Sequence, residues 1–263
     1  MSTTDSPAPT ARLDVEPLSG RLAAEVLVPL DVVLSDEGLH ADLRAALHTH
    51  GVLVLRAASP TPEQQIALAG VFGEPAPPQP QNPRHPDFDL VCVFDSAGGY
   101  KADKWHADET FTDHPVSGAV LSMQVKPTVG GDTMWTNTEA AYDALSTGMK
   151  TLLENRRARH EISESVAAVH PVIRTHPVTG RKSIYVNDIF TRGIVNLPPD
   201  ESDAILPFLK RHVHRPEFTY RHTWAAGDVI VWDNRRTQHY ALNDFEGRRV
   251  VHRVGFNAEP FED

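Results

Sequence analysis

His106-Ala107-Asp108 is the first residue pattern in the chain with a definite chemistry. In an extended segment, residues i and i+2 point to the same side, so an imidazole and a carboxylate can converge on one ion. H-x-D alone is a weak signal, and a third ligand must come from a distant part of the chain. The chain has fourteen histidines, His106 among them, and the third ligand can come from the others. His40, His48 and His50 fall on or at the end of a helical stretch, and His114, His160, His212, His214 and His222 sit in polar surroundings. His170 and His176 flank prolines. Solvated, capping or hydrogen-bonded roles account for all of these. His239 differs, because it follows the turn Gly227-Asp228 and the strand-like run Val229-Ile230-Val231-Trp232-Asp233. It is expected just beyond the end of that strand, where a rigid scaffold can present a ligand. Two imidazoles and one carboxylate on one face leave three positions of an octahedral ion open, as in non-haem Fe(II) oxygenases. The same set suits Zn²⁺ in a hydrolase, so ligand type does not settle the metal.

The elements that must position these residues are legible in outline. Leu39, Leu43, Ala46 and Leu47 form one helical stripe between about Asp36 and His50, and Gly51 ends it. Val52-Leu53-Val54-Leu55 reads as a buried strand. Thr61-Pro62-Glu63-Gln64 opens a second helix with a Thr N-cap, Pro at the first helical position and Gln in the capping-box position; Gly73 closes it. Six prolines between Pro75 and Pro86 exclude a helix or central strand there and predict a loop lying over something. Strands are expected at Leu90–Phe94, Val116–Val125, Ile184–Asn187, Phe218–Arg221, Val229–Asp233 and Val250–Phe256. Helices are expected near Thr138–Asn155 and Asp200–His214. Many short strands with a few helices predict a mainly β fold with flanking helices (α+β), a double-layer architecture such as a jelly roll.

A net charge of −10 argues against nucleic acid, which calls for a basic face. A small anionic ligand stays compatible, since one buried Arg serves it locally. The lone cysteine, Cys92, allows no intramolecular disulfide, and its apolar run Leu90-Val91-Cys92-Val93-Phe94 marks it as a buried strand residue. No apolar run is long enough to span a bilayer. Residues 1–11 lack the apolar centre of a signal peptide and read as a disordered tail, with residues 12–263 as one domain. A cytoplasmic protein is expected. The partners expected are a small-molecule substrate and, at most, further copies of the chain in a homo-oligomer, not nucleic acid or membrane.

From Trp105 onward the chain resembles the taurine dioxygenase and 2,4-dichlorophenoxyacetate dioxygenase (TauD/TfdA) family. The resemblance rests on Trp105-His106-Ala107-Asp108 with Thr110-Phe111, and on Pro127-Thr128-Val129-Gly130-Gly131-Asp132-Thr133 followed by Trp135. It continues through Ala140-Ala141-Tyr142-Asp143-Ala144-Leu145-Ser146 and His170-Pro171-Val172-Ile173-Arg174-Thr175-His176-Pro177. It closes on Trp232-Asp233-Asn234-Arg235, Gln238-His239-Tyr240 and Arg248-Arg249-Val250-Val251-His252-Arg253. Several motifs in order are far more specific than one H-x-D. The resemblance implies a double-stranded β-helix core, with His106, Asp108 and His239 as Fe(II) ligands and 2-oxoglutarate and O₂ as cosubstrates. Thr133 and Arg249 match the residues that hold the distal carboxylate of 2-oxoglutarate. A guanidinium fork suits that role, and a hydroxyl adds one hydrogen bond. Without the resemblance, Arg249 would read as a surface ion-pair partner in the basic run Arg248-Arg249. The implied reaction oxidises a substrate C–H bond while 2-oxoglutarate yields succinate and CO₂. The carboxylate of Asp108 favours an oxygenase outcome, since related halogenases lack it.

Substrate positions match less well. Arg253 matches the position that binds a substrate's anionic group, and Phe190 an aromatic beside the substrate, although core packing would also explain Phe190. Where the taurine enzyme has imidazoles this chain has Pro75-Ala76-Pro77-Pro78, and Ala102 replaces an amide. The stretch between Arg159 and His170 is short for the family, which implies a reduced lid. Taurine therefore does not match, and the substrate expected is a small or medium organic molecule with a carboxylate, sulfonate or sulfate. Sulfonate or alkylsulfate cleavage and oxidation of an amino-acid-like carboxylate in secondary metabolism are the alternatives within this class. A zinc hydrolase and a non-catalytic binder are the rivals outside it.

Overall fold

The computed structural model describes residues 13–99 and 102–261; the expected tail at residues 1–11 lies outside them. Its main sheet has eight strands. Seven follow the order Val15–Pro17, Ala24–Val26, Val52–Leu55, Val229–Asp233, Gly118–Val125, Val250–Asn257 and Glu74–Ala76, and Cys92–Asp95 pairs beside them on Val250–Asn257. Both faces of this sheet are covered, which explains the unbroken apolar run at Val229–Asp233. Val229 and Val231 face a core shared with Leu43, Leu47, Leu68 and Phe72 from the N-terminal helices. Ile230 and Trp232 face the other way, toward Leu121, Met123, Val251 and Trp135.

Trp135 belongs to a smaller sheet of three strands, Thr219–His222, Thr133–Asn137 and Thr237–Ala241. Its ring lies 6.0 Å from that of Trp232, so the two sheets pack face to face as the layers of a jelly roll. The fold is thus mainly β with flanking helices, as expected. A third sheet joins Thr191–Ile194, Arg157–Ser163 and Val166–Pro171. The helix Pro199–Val213 buries Leu206, Leu209 and Val213 in a satellite core with Ile184, Val186 and Ile194.

Several local readings hold closely. The helix His40–His50 ends at Gly51, whose φ of 71° is a left-handed cap that favours glycine. The capping box at Thr61 forms in both directions, and the strands Val52–Leu55 and Val229–Asp233 match to the residue. Other boundaries move. The expected helix at Thr138–Asn155 is two helices, Thr138–Asp143 and Thr147–Leu153, because Ser146 caps a new one. The strand expected at Ile184–Asn187 is Lys182–Ile184, since Asn187 turns its side chain onto the Phe190 backbone N–H instead.

The turn that feeds the central strand is held by charge. Asp228 accepts hydrogen bonds from Arg56 Nη1 (2.8 Å), His222 Nε2 (3.0 Å) and the backbone N–H groups of Ala225 (2.9 Å) and Ala57 (3.2 Å). Burial raises its carboxyl, but these donors outweigh it and hold the group at about 2. A carboxyl depressed in the fold contributes stability that is complete above its unfolded value near pH 4 and is lost as pH falls toward 2. Asp228→Asn is expected to cost about 2 kcal/mol at pH 7. In urea unfolding, the gap from wild type should close between about pH 4 and pH 2. A gap independent of pH would rule this account out.

Candidate active site

Two strands bring the three expected ligands together. The backbones of His106 and His239 exchange hydrogen bonds in both directions, at 3.0 and 2.7 Å. His239 lies within the strand Thr237–Ala241 rather than beyond a strand end, because the chain after Asp233 turns and pairs again. The ligand atoms of His106, Asp108 and His239 all lie within 4.8 Å of one another. Nε2 of His106 and of His239 stand 3.7 and 3.8 Å from the same oxygen, Asp108 Oδ1. His106 Nδ1 meets the Lys104 carbonyl at 2.8 Å, which assigns its proton to Nδ1 and leaves the Nε2 lone pair facing Asp108. Burial, reinforced by His106, pushes His239 down to about 3, so its ring is a neutral donor. This donor set, too widely spaced for direct hydrogen bonds, fits a divalent ion with a vacant face.

Asp108 divides its two oxygens. Oδ2 accepts from Arg253 Nε (3.2 Å) and Nη2 (2.9 Å), while Oδ1 faces the imidazoles. Burial would raise the Asp108 carboxyl, but Arg253 and the two histidines hold it well below the usual range. Arg253, the expected substrate anchor, therefore spends one edge of its guanidinium on Asp108. The Asp108 backbone is clamped by Asn234, whose Oδ1 accepts from the Asp108 N–H at 2.8 Å and whose Nδ2 donates to the Asp108 carbonyl at 3.0 Å. Asn234 was part of a matching motif, but its role had no signal of its own, because the contact spans more than a hundred residues.

The three residues open into a cavity of about 310 Å³. Thr133, Arg249, Arg253 and Phe190 all line it, so every expected cofactor and substrate residue reaches one space. Arg249 points inward, unlike Arg248, which pairs with Asp95 at the surface. Arg249 donates to the Gly131 carbonyl (3.0 Å) and to Thr133 Oγ1 (3.2 Å) and has no carboxylate at ion-pair distance among the described residues. Burial lowers it to about 10, with partial relief from Asp132. Thr133 Oγ1 also accepts from Trp224 Nε1 at 3.0 Å. With both lone pairs occupied, its proton is free to be donated elsewhere. A half-buried guanidinium and a hydroxyl proton without an acceptor among the described residues suit an incoming carboxylate.

Phe190 packs on Phe111, with ring centroids 4.9 Å apart, and its backbone N–H donates to Asn187 Oδ1 at 2.8 Å. Asn187 Nδ2 and His160 Nδ1 both meet Thr110 Oγ1, at 3.0 and 2.9 Å, which ties the Phe190 loop to the segment after Asp108. His160 and His222, placed in polar surroundings by the sequence, are fully buried here within hydrogen-bond networks. The proline-rich loop lies over the cavity as expected, contributing Gln79, Gln81 and Asn82. Gln79 Nε2 donates to Glu109 Oε2 at 2.8 Å. Neither Gln79 nor Glu109 stood out in the sequence. From the hairpin Arg157–Ser163 and Val166–Pro171, Ile162 lines the cavity.

The taurine catabolism dioxygenase TauD, TfdA family model matches residues 14–254. An alkylsulfatase of Acinetobacter baylyi is 34% identical, over 95% of this chain and 87% of the relative. An alpha-ketoglutarate-dependent sulfate ester dioxygenase of Pseudomonas putida is 33% identical, over 94% and 90%. The crystal structure of a taurine dioxygenase from Burkholderia xenovorans superposes with a TM-score of 0.86 at 35% identity, covering 94% of this chain and 90% of that one. The chain accordingly belongs to the TauD, TfdA family and is a 2-oxoglutarate-dependent non-haem iron dioxygenase.

Proposed function

We propose that this dioxygenase oxidises a C–H bond of a small anionic organic molecule, with His106, Asp108 and His239 holding Fe(II) and Thr133 and Arg249 holding the distal carboxylate of 2-oxoglutarate. The observation that carries it is Arg249, a half-buried cation that lines the same cavity as the three ligands and has no carboxylate at ion-pair distance among the described residues. The bound iron and its cosubstrates supply the oxidising chemistry; the chain's residues bind, orient and exclude water. Arg253 holds Asp108 in one orientation and offers its remaining edge to a substrate anion. Phe190, Phe111 and Leu121 form an apolar wall for the substrate body. Ala102 lines the cavity with only a methyl group, which supports a substrate other than taurine.

Relatives named for sulfate esters favour one second reading, cleavage of an alkyl sulfate after oxidation at the carbon that bears it. We place the protein in the cytoplasm as a single catalytic domain. In support, no helix among the described residues is long and apolar enough to cross a membrane. A panel of carboxylates, sulfonates and sulfate esters, assayed for O₂ uptake, succinate and released sulfate, tests both readings. Succinate formation that needs Fe(II), O₂ and 2-oxoglutarate is expected even without substrate, at a lower rate. No succinate under any condition would exclude the proposal.

A further inference from the structure

Glu109 is the one acidic residue of the cavity that the reading above leaves without a task. It follows Asp108 directly and takes φ 61°, a left-handed conformation that costs energy for any residue with a Cβ. Its side chain lines the cavity and is 11% exposed. Gln79 of the overlying loop fixes Oε2. Oε1 accepts no hydrogen bond among the described residues, and its nearest cation is Arg253 Nη2 at 4.0 Å, already committed to Asp108. In the open cavity water can satisfy this oxygen; a substrate that displaces that water must bring a donor of its own or leave the carboxylate unsatisfied.

Charge points to the kind of donor. Counting histidine as neutral, the cavity's Asp108 and Glu109 balance Arg249 and Arg253. A divalent metal and a dianionic cosubstrate balance each other likewise. A substrate that is only an anion adds an uncompensated charge, whereas one that also carries an ammonium does not.

We infer that Glu109 is a specificity-determining residue, whose Oε1 accepts a hydrogen bond from a protonated amine on a substrate with an apolar body and an anionic group toward Arg253. This rests on the cavity being a 2-oxoglutarate dioxygenase site for an anionic substrate. Substrates are thereby sorted by the amine, not by the anion alone.

Matched pairs that differ only in the amine test it: racemic phenylalanine against 3-phenylpropionate, and racemic leucine against 4-methylpentanoate. Each is titrated by calorimetry into protein loaded anaerobically with Mn(II) and N-oxalylglycine, and assayed with the Fe(II) enzyme for stimulated succinate release. Wild type is expected to favour the amine-bearing member by about 10- to 100-fold, the range of a charge-assisted hydrogen bond. Glu109→Leu should erase that preference, and Glu109→Gln, which keeps the volume, should lose most of it. Gln79→Leu, which only loosens the carboxylate, should keep its direction; a loss of preference equal to that of Glu109→Leu would make Glu109 a mere latch for the loop and overturn the inference. Equal binding of both members by wild type, including no binding of either, also overturns it and leaves the dioxygenase reading standing. Failure of wild type to form succinate at all would defeat that reading, and this inference with it.

Discussion

Asp108→Ala is expected to abolish iron-dependent succinate formation and to lower stability by about 3–5 kcal/mol, the cost of removing one partner from a buried ion pair. Both effects follow from the divided carboxylate. Oδ1 faces the two imidazoles, so its removal takes one of three donors from the ion. Iron affinity should fall by more than the roughly 10- to 100-fold that loss of an outer-shell partner costs. Oδ2 neutralises Arg253, which is 6% exposed and would be left as a buried cation beside Glu109 alone, 4.0 Å away. Asp108→Asn separates the two roles. The amide oxygen still accepts from Arg253 but does not neutralise it, so only part of the stability should return while turnover stays lost. Iron content per chain and urea unfolding measure the two arms. An alanine variant with full iron content and turnover would sink the metal assignment.

Arg249→Leu should raise the KM for 2-oxoglutarate by about 30- to 1000-fold, matching the 2–4 kcal/mol lost when a buried hydrogen-bonded charge pair loses a partner. Its stability effect runs the other way. Without cosubstrate, wild type carries a guanidinium whose burial no acidic partner offsets directly, which lowers it to about 10. Replacing that cation with an apolar side chain should leave the melting temperature of the cosubstrate-free protein unchanged or raise it. Added 2-oxoglutarate should then stabilise wild type and not the variant. Such an exchange of stability for binding is what a preformed anion site costs. A variant that keeps the wild-type KM would remove Arg249 from the cosubstrate site.

Much of this was legible in the chain because it is local. The capping box at Thr61 involves four consecutive residues, and Gly51 stops its helix through its own backbone. The alternation of Val229 to Trp232 between two cores follows from strand geometry once both faces are covered. Three-residue strands such as Ala24–Val26 escaped, since three residues carry no periodicity and pairing alone defines them. For His160 and His222, polar neighbours in sequence left solvated and hydrogen-bonded roles open; the fold decides for the second, burying both against Thr110 and Asp228.

The chain alone determined which residues could form the centre: an imidazole and a carboxylate two positions apart, a distant histidine behind a rigid strand, and an arginine in a matching motif. Tertiary structure decided how each is used. It turned Arg253 onto Asp108 across 145 positions, so the expected substrate anchor first orients a metal-facing carboxylate. It occupied both lone pairs of Thr133, leaving the proton as that hydroxyl's contribution. It clamped Asp108 with Asn234 and brought Glu109 to the cavity on a left-handed residue. Residue type limits what a group can donate or accept. The partner that takes the first of those bonds is chosen by strand pairing and sheet packing, which join positions that sequence spacing leaves far apart.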